Sequence, residues 1–472
     1  MERLPGIDAG YLYMETPTLL MHTLKVAILR PGDDYSATAL RDALAARLHL
    51  LPPFRRRLVD VPLRLHHPVW VDDADIDLDA HVHRLRVPAP GGMRELEGLI
   101  GDIAGAPLDR RRPLWEVWVC EGMADGRLGV VTKMHHALAD GVASSALLAN
   151  VMDAVPAGPV MADPAPASEP WRGEPTPRRW RLLREGVRDW GRQLTTLPAL
   201  LVHTGRRVGE VARVRKGLPV RPPRPILDAP RTSFNGAITA RRSFATARLP
   251  LADFRAVQVT FGVSLNDVVL AVAAGALRSW LAARDELPAR SLLAAVPLAV
   301  PGGGEVRLSG NRVSSLLTSL CTDVADPVDR LRAISAVTGT TKAVQEALGA
   351  DMMERWVQFT PPAAMAGFMR AYSRLRGADR HRPPVNVVVS NVPGPRQPVS
   401  IGGAQLAEIY SVGPILEGIG LNLTVWSYVG EMAFSALACP DTLPDLHGIV
   451  DRLAPALGEL LVAAGREELT AS

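Results

Sequence analysis

The stretch Met134-His135-His136-Ala137-Leu138-Ala139-Asp140-Gly141 decides how this chain is read. Before it, Leu128–Lys133 reads as a strand, paired through the turn Ala124-Asp125-Gly126 with Val117–Cys120. After it, Val142 to Met152 has the spacing of a helix. Two adjacent histidines, with an aspartate four residues past the second, thus stand at a strand-to-helix junction. A strand end carries a side chain to the face of a sheet where clefts form. A neutral imidazole there takes a proton from an alcohol near pH 7. Asp140 and Gly141 allow a tight turn into the helix, and Asp140 suits its N-cap. The bland alternative is a buried histidine pair beside a capping aspartate.

Metal chemistry fits the pattern poorly. Adjacent strand residues face opposite sides, so His135 and His136 do not share one ion. His66-His67 and His81-x-His83 lie near Asp72, Asp73, Asp75, Asp77 and Asp79, a candidate for weak cation binding for which a solvated acidic surface is the favoured reading. No metal site is expected. There is no G-x-S-x-G, Walker A or G-x-G-x-x-G stretch, which leaves serine hydrolases, P-loop enzymes and dinucleotide-binding dehydrogenases without support.

Working outward, strand-like and helix-like stretches alternate in both halves. Leu24–Leu29 reads as a strand, and Ser36 suits the cap of a helix running through Leu48. In the second half, 240–244, 291–298 and 385–390 read as strands, 421–428 and 431–437 as a hairpin around Val429-Gly430, and 265–285 and 443–465 as helices. The pattern implies a two-domain α/β sandwich, with domains at 1–155 and 231–472. Between them, 156–230 holds thirteen prolines and reads as a surface linker. Its middle, 178–197, is helical, with Trp180, Leu183, Val187, Trp190, Leu194 and Leu197 on one face. Eleven Arg or Lys against three Asp or Glu between Arg178 and Gly217 make this a candidate for docking on a membrane or lipid droplet. An ordinary packed linker helix is the competing reading.

The 472 residues carry a net charge of +4, and only four of the 53 basic residues are lysines. That arginine bias weakens any nucleic-acid reading, so no nucleic-acid partner is expected. Three cysteines without scaffold or zinc spacing, no apolar run near ~20 residues and no leader-like start point to a cytoplasmic protein.

His135-His136-x-x-x-Asp140-Gly141 resembles the signature of the acyl-CoA-dependent acyltransferase superfamily, which includes condensation domains and chloramphenicol acetyltransferase. Narrower matches run through the chain: Ile7-Asp8-Ala9-Gly10-Tyr11-Leu12 with Glu15-Thr16-Pro17 and Met21-His22, Pro113-Leu114-Trp115-Glu116, Ser264-Leu265-Asn266-Asp267, Ser390-Asn391-Val392-Pro393-Gly394-Pro395, and Gly418-x-Gly420-Leu421-Asn422. Together they are similar to the bacterial wax ester synthase/diacylglycerol acyltransferases. That resemblance implies a chloramphenicol acetyltransferase-like sandwich with the active site at the domain interface. It implies transfer of a long-chain acyl group from acyl-CoA to diacylglycerol or a long-chain alcohol, with no cofactor. His136 is then the general base, and Asp140 an orienting residue beside His135. Gly141 permits the turn, and the helix N-terminus lends positive potential.

The remaining motifs have two readings each. Ser264 and Asp267 form a capping box, while Asn266 is a candidate for polarising an oxyanion. Pro113, Leu114 and Trp115 pack a strand start or line an acyl channel. A carrier-protein-dependent acyltransferase and a non-catalytic lipid-droplet protein are the rival functions. The Pro-Leu-Trp and Asn-Asp segments argue against the first, and the intact histidine pair against the second.

Overall fold

The computed structural model describes residues 1–32, 35, 37–73, 75–154, 173–224, 228–299, 307–349 and 352–465. It is a mixed α/β molecule built on two large sheets.

The first sheet has seven strands in the order Val82–Arg86, Trp115–Glu121, Leu128–His135, His22–Arg30, Ala404–Val412, Val399–Ile401 and Met152–Ala154. The Leu128–His135 strand is interior, third of the seven and antiparallel to both neighbours, so His135 and then His136 stand where the chain leaves the end of that strand. Two strands from the last third of the chain complete this sheet: Ala404–Val412 pairs with His22–Arg30 and Val399–Ile401 with Met152–Ala154. The region 231–472 is therefore stitched into the sheet of 1–155. No local periodicity announces such a pairing, because it depends on residues hundreds of positions apart.

The second sheet has six strands: Val313–Ser319, Leu293–Ala299, Val387–Pro393, Leu421–Tyr428, Glu431–Ala438 and Ser243–Pro250. The expected hairpin around Val429-Gly430 is present, with both turn residues at positive φ. The strand expected at 240–244 instead runs Ser243–Pro250, set by its pairing with Glu431–Ala438. Helix Leu265–Ala282 is long and apolar enough by composition to cross a membrane. Here it is core: Val268 to Leu277 are all buried among the second sheet and the surrounding helices. The helix expected at 443–465 divides into Leu446–Val450 and Leu453–Ala463.

Ser36 lies outside the described residues, and the helix expected after it runs Ala37–Arg47. The proline-rich stretch 155–172 and residues 225–227 also lie outside them. Between these two stretches runs a 39-residue helix, Arg179–Gly217, nearly twice the expected length. It continues through Pro198, a residue that ordinarily ends a helix. Its inner side meets the body of the protein: Leu182 and Leu200 are buried, Asp189 pairs with Arg3 at 2.9 Å, and Trp190 Nε1 donates to the Leu65 carbonyl at 2.5 Å. The apolar face expected from spacing is thus split. Trp190 packs inward, while Trp180, Val187, Leu194, Leu201 and Val208, seven residues apart, are each more than half exposed.

Candidate active site

His135 ends the strand Leu128–His135 and is buried. Its Nδ1 accepts from the Ala137 amide at 3.0 Å, which turns Nε2 toward Glu15 Oε1 at 3.7 Å. His22, opposite it in the ladder, reaches the same oxygen at 3.5 Å. Burial works against the Glu15 carboxylate, but His135, His22 and the Arg110 guanidinium outweigh it and hold Glu15 ionised. Burial also pushes His22 down to about 4, so it stays neutral at pH 7. His135 belongs to this buried polar knot.

His136 differs from its neighbours. From Lys133 to Asp140 it is the only residue that is not fully buried. Its amide donates to the Met21 carbonyl at 2.8 Å, its ring stacks on Tyr11 with centroids 4.3 Å apart, and its Nδ1 lies 3.0 Å from Asn311 Oδ1. Burial of the ring pushes its pKa below the usual histidine value, so it is neutral and able to accept a proton at pH 7.

Asp140 caps helix Gly141–Ala149, its Oδ1 accepting from the Ala143 amide at 2.9 Å. Its other oxygen pairs with Arg307 and accepts from the Arg312 amide at 2.9 Å. Asp140 therefore pins a segment of the second half, 307–312, onto the histidine loop. Gly310 N donates to Leu138 O at 2.8 Å and Asp140 N to Gly310 O at 3.2 Å, closing a short bridge between the halves. Gly141 is not required by the turn. Asp140 carries the cap, and a Cβ on Gly141 would meet only Val392 Cγ2 at 3.9 Å.

Asp267 completes the capping box with Ser264 and accepts from Ser335 and Thr338, which occupies its carboxylate in the second unit. Asn266 is half-buried beside it, and its side chain makes no hydrogen bond among the described residues. Trp115 is fully buried; Phe54 and His81 stack on it and its Nε1 donates to the Phe54 carbonyl at 2.8 Å. Leu114 is equally buried and its carbonyl receives the His135 amide. Pro113 is buried as well. The Pro-Leu-Trp segment supports the histidine strand from within the core.

Sequence reasoning missed Asn311 and Arg307 as site residues. Nothing in their spacing marks them; the one hint is Gly310, whose φ of +76° suits glycine. Asp8, Tyr11, Glu15 and His22 appear in the sequence only as part of a resemblance, yet all four gather around the histidine pair. Among the described residues, no group of three or more His, Cys, Asp or Glu side chains is placed to hold a metal ion.

Two sheets meeting at a histidine loop define the condensation-domain and chloramphenicol acetyltransferase-like class of fold. A starter condensation domain of rhizomide synthetase, solved with C8-CoA and Leu-SNAC, superposes with a TM-score of 0.57 over 99% of this chain and 95% of that one. At 13% identity, the likeness is one of fold. The family model for the wax ester synthase/diacylglycerol acyltransferase catalytic domain matches residues 4–269, and that for the family's C-terminal domain matches 309–461. The chain belongs to this family and is an acyltransferase. A Mycobacterium tuberculosis protein that carries a diacylglycerol O-acyltransferase name is 40% identical over 468 residues, covering 98% of this chain and 97% of the relative. A second from the same species, similarly named, is 37% identical over 470 residues, covering 98% and 90%. The solved wax ester synthase/diacylglycerol acyltransferase from Marinobacter aquaeolei VT8 has a TM-score of 0.69 and 28% identity, covering 98% of this chain and all of that one.

Proposed function

We propose that the protein transfers a long-chain acyl group from acyl-CoA to the free hydroxyl of diacylglycerol, and with it to long-chain alcohols, with His136 as the general base. The observation that carries this is the contrast between the two histidines. His135 is buried in a knot with Glu15, whereas His136 is the one partly exposed residue of the loop, pinned to the second half through Asn311, and its ring is neutral at pH 7. His136 takes the hydroxyl proton as the oxygen attacks the thioester carbonyl. The tetrahedral oxyanion collapses, the C–S bond breaks, and His136 returns the proton to the departing CoA thiolate. The reaction as written uses no cofactor.

Both lipid substrates partition out of water, so the enzyme works in the cytoplasm in peripheral contact with a membrane or droplet surface. The exposed stripe on the long helix supports this, flanked by Arg184, Arg188 and Arg192 and continued by Met353 and Trp356. Trp356 Nε1 donates to Thr204 Oγ1 at 3.0 Å, which holds this extension against the helix.

Incubating the purified protein with labelled oleoyl-CoA and either diolein or hexadecanol tests the proposal. Triolein as the main product and wax ester as a lesser one are expected. Release of CoA without either product would overturn the assignment of acceptors.

A further inference from the structure

Two acceptors behind His136 choose between its two nitrogens: its own backbone carbonyl, which bonds the ring, and the side chain of Asn311. Asn311 Nδ2 donates to Asp8 Oδ1 at 2.7 Å and to the His136 carbonyl at 2.8 Å. Asn311 Oδ1 is left facing His136 Nδ1 at 3.0 Å. Flipping the amide would set its oxygen against the His136 carbonyl, two acceptors in contact, and would forfeit that bond. The amide orientation is therefore determined, and an acceptor facing Nδ1 requires the proton to sit on Nδ1. Nε2 then carries the lone pair. Tyr11, stacked on the ring, leaves the imidazole little freedom to turn.

We propose that Asp8 and Asn311 are positioning residues that hold His136 in its Nδ1-protonated form, so that Nε2 is the nitrogen that accepts the substrate proton. The inference rests on His136 being the base through Nε2 and adds the two side chains that position it. Asp8 comes from the first helix, Gly6–Met14, and Asn311 from the segment pinned by Asp140, so the clamp forms only when both halves are in place. When Nε2 gains its proton, the new imidazolium lies one amide away from a buried carboxylate.

Asp8 adds a pH dependence. It is 1% exposed; the charged groups around it are Arg307 and Asp140, with the Tyr11 hydroxyl and His136 beside them. Burial, opposed by the hydrogen bond from Asn311, lifts its carboxyl to about 7. Above that pH the carboxylate steadies Asn311. Below it the protonated group still offers a carbonyl oxygen, so the geometry survives and the charge does not. Asp8→Asn mimics the protonated state at every pH.

The test reads the tautomer directly. In full-length protein labelled with 15N-histidine, the His136 signals are identified by their loss in His136→Ala, and two-bond N–H correlations report which nitrogen is protonated. The wild type is expected to show the Nδ1-protonated pattern. Asn311→Ala is expected to shift His136 toward the Nε2-protonated form and to lower kcat about 10- to 100-fold, with KM for both substrates little changed. Asn311→Gln, whose longer amide misplaces the acceptor, serves as a second variant with the same expected loss. Asp8→Asn should keep the tautomer and lose the acid-side inflection near pH 7 from the rate profile. An Nε2-protonated His136 in the wild type would overturn the proposal. So would an Asn311→Ala protein with unchanged tautomer and kcat within twofold of wild type. The spectrum is taken without substrate, so a wrong choice of base shows in the His136→Ala rate and not in the tautomer.

Discussion

The Asp140 amide donates to the Gly310 carbonyl at 3.2 Å, although 170 residues separate them in the sequence. This bond and the Asp140–Arg307 pair fasten the histidine loop of the first half to a segment of the second. The site is assembled by the meeting of the two halves, and its stability is inseparable from theirs.

Removing the Asp140 side chain takes away a helix cap and leaves Arg307 with only the Ser309 and Gly310 carbonyls. Asp140→Ala should lower stability by roughly 2–4 kcal/mol, between the loss of a cap and the breaking of a buried pair, and should reduce activity with it. Asp140→Asn keeps the cap and should lose less. Thermal melts of both variants check this; a large rate loss at unchanged melting temperature would mean that Asp140 takes part in the chemistry itself.

Gly310 stands at φ +76°, and a Cβ there would come within 3.3 Å of Asp8 Oδ2. Gly310→Ala should cost about 1–2 kcal/mol from backbone strain. Activity should fall further than stability alone explains, since the added methyl presses on the group that orients Asn311. A comparison of kcat with chemical denaturation midpoints separates the two effects.

Lys25 is buried in the first sheet, its Nζ donating to Ser411 Oγ at 2.7 Å and lying 4.5 Å from the centre of the Trp426 ring. Burial pushes its pKa down from 10.5 to about 7. Between pH 7 and 10.5 the unfolded chain therefore holds a proton that the native protein has released. Stability should rise with pH across that window, by up to about 1.4 kcal/mol per unit. Lys25→Met should flatten the rise. Denaturation at pH 7, 8 and 9 measures it, and equal slopes in both proteins would refute it.

Trp180 and Leu194 are 57% and 53% exposed on the long helix, so glutamate at both should leave the melting temperature unchanged. The double variant should no longer sediment with anionic liposomes, since it loses apolar burial and gains charge repulsion. Retained binding would move the contact to another surface. Trp190 is a poor choice for this test because its indole is tied to the Leu65 carbonyl.

The range of an interaction decides whether the sequence reveals it. The strand–turn–strand Val117–Lys133, the histidine loop and the hairpin at Val429-Gly430 are local patterns, and the structure has them where the residues suggest. The Asp267 cap is equally local. Asn311, Arg307 and the strand Ala404–Val412 act across the chain, where periodicity carries no information. Pro198 reads as a stop, yet the helix runs through it with Leu200 buried beyond it. Trp180 and Trp190 share a face by spacing alone, but only the body of the protein decides which of them is covered.

The most direct measurement is the rate of labelled oleoyl transfer from oleoyl-CoA to diolein by wild-type protein and by folded His136→Ala, side by side. With His136 as the base, the wild type should make triolein and the variant should be slower by about 10²–10⁴-fold. A His136→Ala protein that melts like wild type and still makes triolein at a comparable rate would contradict that role.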